Sequence, residues 1–165
     1  PDKQRYKSAK ERLELEGYQS DNWVLPGYHL YTVETVICRI GEAGCSAEAV
    51  FEQLKRFPAP QRFGSPDRKV GVKTGDKSFA LGVGMVEHWV GTRLLTNTTI
   101  ENQHLLNPGV VIREVVVAGD SIIVKTSGFG NGLLPQINSG IAAKLIWSDR
   151  TDSKIKAALG IKGKK

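Results

Sequence analysis

Residues 104 to 130 read HLLNPGVVIREVVVAGDSIIVKTSGFG, two β-branched runs on either side of a Gly-Asp pair at 119 and 120. β-Branched side chains suit the pleated, half-buried surface of a sheet, and a Gly-Asp pair between two such runs signals a hairpin. With Gly119 and Asp120 as the central turn residues, Val117 faces Ile122 and Val115 faces Val124 on one side of the ribbon. Val116 and Ile123 meet on the other side, where Glu114 stands opposite Lys125, a charge pair contributing about 0.2–1 kcal/mol. A one-residue slip of the turn forfeits that pair, so this register is the expected one. It also sets Arg113 opposite Thr126, on the face of Val115 and Val124. The hairpin is therefore apolar near its turn and polar at its open end.

A guanidinium among aliphatic side chains must be paired or face water, because burying it alone costs several kcal/mol. An anion satisfies it: the planar fork of Arg113 matches phosphate or carboxylate, and the Thr126 hydroxyl adds a further donor. The other reading pairs Arg113 with an acid of the chain or places it at an exposed sheet edge. Three histidines bear on the choice. His104 precedes the hairpin across LLNPG, a turn able to fold it over the open end; His88 lies in MVEHWVG on a strand; His29 lies in PGYHLY. Imidazole is the side chain best suited to moving protons near neutral pH, although such a histidine is commonly just a partly buried residue. Lys125 points away from Arg113 in this register and joins it only if a bulge intervenes.

Working outward, residues 3 to 16 are rich in helix formers, with Tyr6, Ala9 and Leu13 on one face, and Gly17 ends that run. The expected division is an N-terminal helical arm or linker at 1–32 and one domain at 33–165. A strand is expected near 32–37. Ser46 can cap a helix that puts Val50, Phe51, Leu54 and Phe57 on one stripe before Pro58 stops it. A connection rich in Pro, Gly and charge follows. Strands are then expected over 69–74, 78–84, 86–95, 110–117 and 121–127. GFGNGLLPQINSG reads as a loop, and Thr151 or Asp152 can cap a last helix through Ile155, Ala158 and Leu159 that ends at Gly160. Helix early and sheet later predicts an α+β fold, N-terminal helices packed on a twisted, mainly antiparallel sheet.

Composition adds bounds. The 165 residues carry 23 Lys and Arg against 17 acids, a net charge of +6 that suits a polyanionic partner. No apolar run approaches the roughly 18 residues of a membrane span, and the charged start lacks the apolar segment of a signal peptide. Starting at Pro1 without Met, the sequence reads as a piece of a longer protein. Cys38 and Cys45 flank a Gly-containing loop; a disulfide or two inert thiols fit, whereas two sulfurs without companion ligands cannot make a four-ligand zinc site. GFGNG lacks the spacing of phosphate-cradling loops, GVGMVEHW is not HExxH, and GxSxG is absent.

The succession TTIENQHLLNPGVVIREVVVAGDSIIVKTSGFGNGLLPQINSGIAAKLIW resembles C-terminal toxin domains of bacterial polymorphic toxins, of the contact-dependent growth inhibition and Rhs type. The pattern runs T, HxLxPGxVxR, IxVxTxGxG, Asn and a late aromatic. It is met at His104, Pro108, Gly109, Arg113, Thr126, Gly128, Gly130 and Asn138. The likeness spans residues 33 to 160 and lacks a VENN boundary motif. Such tips include small basic nucleases on the barnase and colicin type of ribonuclease fold. The resemblance implies a toxin; the sheet, the basic charge, the missing metal-ligand motifs and the His/Arg/Thr set together favour a metal-independent ribonuclease without cofactor that cleaves RNA through its own 2′-hydroxyl. His104 would be general base or acid and His88 its partner. Arg113 and Lys125 would stabilise charge, Thr126 would donate a hydroxyl, and Asn138, Lys73 and Arg93 would hold substrate. Alternatives are an NAD-consuming or ADP-ribosylating toxin and a non-catalytic nucleic-acid-binding module. The partners implied are RNA and an acidic immunity protein, with export inside a larger protein and action in a target cell's cytoplasm, without stable membrane insertion.

Overall fold

A computed structural model describes residues 28–61, 64–80, 84–104, 109–131 and 143–161. The helix read over 3–16 lies outside them. The elements are β1 (Tyr28–Arg39), α1 (Ala47–Arg56), β2 (Lys77–Ala80), β3 (Gly84–Val90), β4 (Leu94–His104), β5 (Gly109–Ala118) and β6 (Ser121–Asn131). A π-helical segment, Lys144–Asp152, runs directly into α2, Ser153–Ala158. The six strands form one sheet in the order β1-β6-β5-β4-β3-β2, each neighbouring pair antiparallel.

The β5–β6 hairpin has the register its turn chemistry requires. Gly119 takes φ 61°, Glu114 pairs with Lys125, and Arg113 pairs with Thr126. β1 adds to the free edge of β6 with Val33 opposite Thr126 and Thr35 opposite Val124, and a bulge falls between Val36 and Cys38. A Cys38–Cys45 disulfide then ties the end of β1 to the start of α1. Ser46 Oγ accepts from the Ala49 amide at 3.0 Å, satisfying one of the free donors of the first helical turn.

The expected placement of the helices is corrected. The helices that cover the described sheet are not N-terminal to it: α1 sits between β1 and β2 in sequence, and the second cover is the C-terminal helix. The apolar stripe of α1, Val50 and Leu54, joins Leu95, Val115, Val124 and Ile155 in one core. Tyr31 and Val33 of β1 meet Trp147 in an adjoining cluster. An antiparallel sheet with one buried face is served by any amphipathic helix that reaches it, and periodicity does not say which one does.

Two strand assignments also change. Residues 69–74 form no strand: a bend at 69–70 leads to a turn at 74–75, where Lys73 donates its amide to Asp76 Oδ2 at 2.8 Å and Gly75 takes φ 93°. The run 86–95 is cut by a turn at 91–93, where Arg93 adopts φ 54° and donates to Glu48 of α1. Conversely, Gly128 and Gly130, read as loop, continue β6.

Candidate functional site

Pairing across the sheet sets two rows on the covered face. One runs Val33, Thr126, Arg113, Leu95, Val90; the next runs Tyr31, Gly128, Val111, Asn97, His88. Arg113 is fully buried, and each of its three nitrogens is engaged. Nε donates to Thr126 Oγ1 at 3.3 Å, Nη1 to the Phe57 carbonyl at 2.6 Å, and Nη2 to Asp152 Oδ1. Its plane lies over the Trp147 ring, 4.9 Å from the centroid. Asp152 in turn accepts from Thr35 Oγ1 at 2.6 Å, and Trp147 Nε1 donates to Tyr31 Oη at 2.9 Å. Burial pushes the Asp152 carboxyl up and the Arg113 guanidinium down, and their attraction opposes both shifts. Burial likewise pushes the Tyr31 phenol up to about 12, so it is a neutral acceptor.

This polar centre is a structural pin. Asp152 occupies the place expected for a substrate anion, so the ribonuclease reading is corrected. A guanidinium with no accessible donor cannot meet a phosphodiester or an NAD pyrophosphate. His88, two strands and one row away, lies roughly 12 Å from Arg113 at ordinary strand spacing. Lys125 stands on the opposite face, between Glu34 and Glu114 in its row. Lys73 is exposed just before the turn that leads into β2, and Arg93 is spent on Glu48. His104 ends β4 opposite Gly84, with its side chain outside the described part, as is Asn138. Asp152, expected as a helix cap, makes no side-chain cap bond and gives its carboxylate to Arg113 instead.

His88 belongs to a second network. It is fully buried; Nδ1 lies 2.6 Å from Asn97 Oδ1, and Nε2 lies 2.6 Å from Ser78 Oγ. Asn97 donates Nδ2 to the Pro58 carbonyl at 2.7 Å, which turns its oxygen toward the imidazole. An amide oxygen only accepts, so Nδ1 carries the proton and Nε2 accepts from the Ser78 hydroxyl. Arg68 Nη2 donates to the same Ser78 oxygen. Ser78, Arg68 and Phe79 line a cleft of about 270 Å³ together with Pro58, Ala59 and Gln61. Ser78 and Arg68 had no motif to mark them.

Burial lowers the His88 pKa to about 4; the Asn97 bond raises it, Arg68 lowers it further, and Asp76 and Glu87 raise it. The unfolded chain protonates this group near 6.5, above the folded value, so its contribution is complete above that pH and is lost as pH falls toward 4. The expected loss is about 3 kcal/mol. Urea unfolding of wild type and His88→Gln across this range checks it: the difference between the two must shrink on acidification.

The architecture defines a fold class, one antiparallel sheet closed over a C-terminal helix. No family model and no curated protein matches the chain. Solved structures do. The solution structure of the KanY protein (ms6282) gives a TM-score of 0.52 at 12% identity, covering 81% of this chain and 97% of that one. The crystal structure of CV1439 from Chromobacterium violaceum gives 0.50 at 11% identity, covering 84% and 100%. A member of the major latex protein family from Arabidopsis thaliana gives 0.48 at 12% identity, covering 86% and 100%. The first two establish the fold and nothing more at that identity. They correct the resemblance to toxin domains and the barnase-type fold it implied, and with it the expectation of a toxin nuclease held by an immunity protein.

Proposed function

We propose that the protein binds a small molecule made of an acidic group and an apolar body, seated in the cleft that Pro58, Ala59, Pro66 and Arg68 form with edge strand β2. One observation carries this reading: Arg68 lines the cleft, and among the described residues no carboxylate pairs with it. A ligand acid completes that guanidinium with a charge-assisted bond. Pro58, Ala59, Pro66 and Phe79, the last half exposed, supply apolar wall for the rest of the ligand. Concave sites that combine apolar lining with one placed charge are the usual form of small-molecule sites.

The test uses 1-anilinonaphthalene-8-sulfonate, an aromatic anion whose emission rises on binding. Arg68→Ala is expected to weaken its binding by about tenfold or more, the worth of one charge-assisted hydrogen bond. Equal binding by the variant and wild type would remove the cleft from consideration.

A further inference from the structure

We infer that Ser78 is a nucleophile, activated through His88 and Asn97, which takes the acyl group from a carboxylic ester held in the cleft. The inference rests on the reading of that cleft as a ligand site and adds a reaction to it. A hydroxyl becomes a nucleophile when a base within hydrogen-bond reach takes its proton and a third group orients the base, whatever the fold or the sequence order. Ser78 Oγ and His88 Nε2 are 2.6 Å apart, and Asn97 Oδ1 holds Nδ1 at the same distance. The Asn97 amide is itself pinned by the Pro58 carbonyl, so the imidazole has one tautomer with its lone pair on the serine. Ser78 lies on edge strand β2 and is only partly buried, with its oxygen at the cleft wall, whereas His88 behind it is sealed from water.

The step balances within these groups. Ser78 Oγ bonds to the ester carbonyl carbon while its proton passes to His88 Nε2 and the carbonyl electron pair moves to oxygen. A further N–H of the Arg68 guanidinium, besides the one that meets the ligand's acid, donates to that oxygen, the role of an oxyanion-hole donor. Collapse breaks the bond to the alcohol oxygen, which leaves with the proton from Nε2, and an acyl-serine remains. Water repeats the sequence in reverse roles, releasing the carboxylic acid and restoring Ser78. Asn97 is a positioning residue, touching only the imidazole.

The experiment exposes the full chain to p-nitrophenyl acetate and follows both nitrophenolate release and the acylated peptide by mass spectrometry. Wild type is expected to give a burst of one nitrophenolate per chain with acetyl on the peptide bearing Ser78. Ser78→Ala, a small change on a partly exposed edge strand, should reduce acetylation about 10²-fold. The rate should stay level from neutral pH down to about 4, the pKa of His88 beside Arg68, Asp76 and Glu87. Asn97→Asp, which puts a carboxylate against Nδ1, should move that lower limit upward, a readout that a purely structural asparagine would leave in place. No burst, acetyl on another residue, or an unchanged burst in Ser78→Ala overturns the inference. Anilinonaphthalene sulfonate binding measured on the same sample separates the two failures. Arg68-dependent binding without acylation leaves the cleft reading intact, and loss of both removes it as well.

Discussion

Asp152→Ala is expected to lower folding stability by about 3–5 kcal/mol, the cost of leaving a buried guanidinium without its counter-charge. Arg113 is fully buried, and its remaining partners, Thr126 Oγ1 and the Phe57 carbonyl, are neutral. Thr35 loses its acceptor in the same variant. The double variant Arg113→Met with Asp152→Leu removes both charges together and should recover most of the loss, since a buried pair contributes little beyond an apolar replacement of similar size. Urea unfolding of the three proteins decides the matter. If Asp152→Ala unfolds at the wild-type midpoint, the pair is not the pin described here. Neither variant should alter anilinonaphthalene sulfonate binding, because the cleft is lined by other residues.

The second large effect concerns Gly128. It faces Tyr31 across the β1–β6 pair, and a Cβ built there would stand 2.3 Å from the tyrosine ring. The ring is held at its far end by Trp147 Nε1 and cannot withdraw without giving up that bond. Overpacking of this kind, together with the forfeited hydrogen bond, sets the expected cost of Gly128→Ala at about 3–4 kcal/mol. The cause is a particular neighbour, so the cost should fall sharply when the substitution is made in a Tyr31→Ala background. A double-mutant cycle measures the coupling, and additive effects of the two changes would contradict the packing described.

Much of the sheet was legible. Gly119-Asp120, the valine runs and the Glu114–Lys125 pair act within a few residues of one another, so local chemistry determines both the register and the company Arg113 keeps on its face. Ser46 and the Val50–Leu54 stripe mark α1 for the same reason. What failed was the meaning of the polar patch. A guanidinium opposite a threonine reads alike whether it awaits an anion or already has a carboxylate. The deciding residue, Asp152, lies 39 positions along the chain in a helix of different character. The same letters fit the toxin-domain pattern, since exposed and buried arginine are written alike in a sequence.

The second network was less legible still. Ser78, His88 and Asn97 sit on β2, β3 and β4, spaced 10 and 9 residues apart with nothing in the intervening letters to join them. Only antiparallel pairing with its particular offsets brings them into one line, and only the Pro58 carbonyl orients the amide that orients the imidazole.

By itself, then, the sequence determined the hairpin, its register, the capped helix and the antiparallel character of the sheet, because turn geometry and side-chain alternation are short-range forces. The tertiary structure decided which helices close the sheet, that Arg113 is a pinned core residue, and that a serine, a histidine and an asparagine from three strands meet beside a cleft. Those outcomes depend on contacts between residues far apart in the chain, where burial and the need to satisfy each polar group select one arrangement among many that the letters allow.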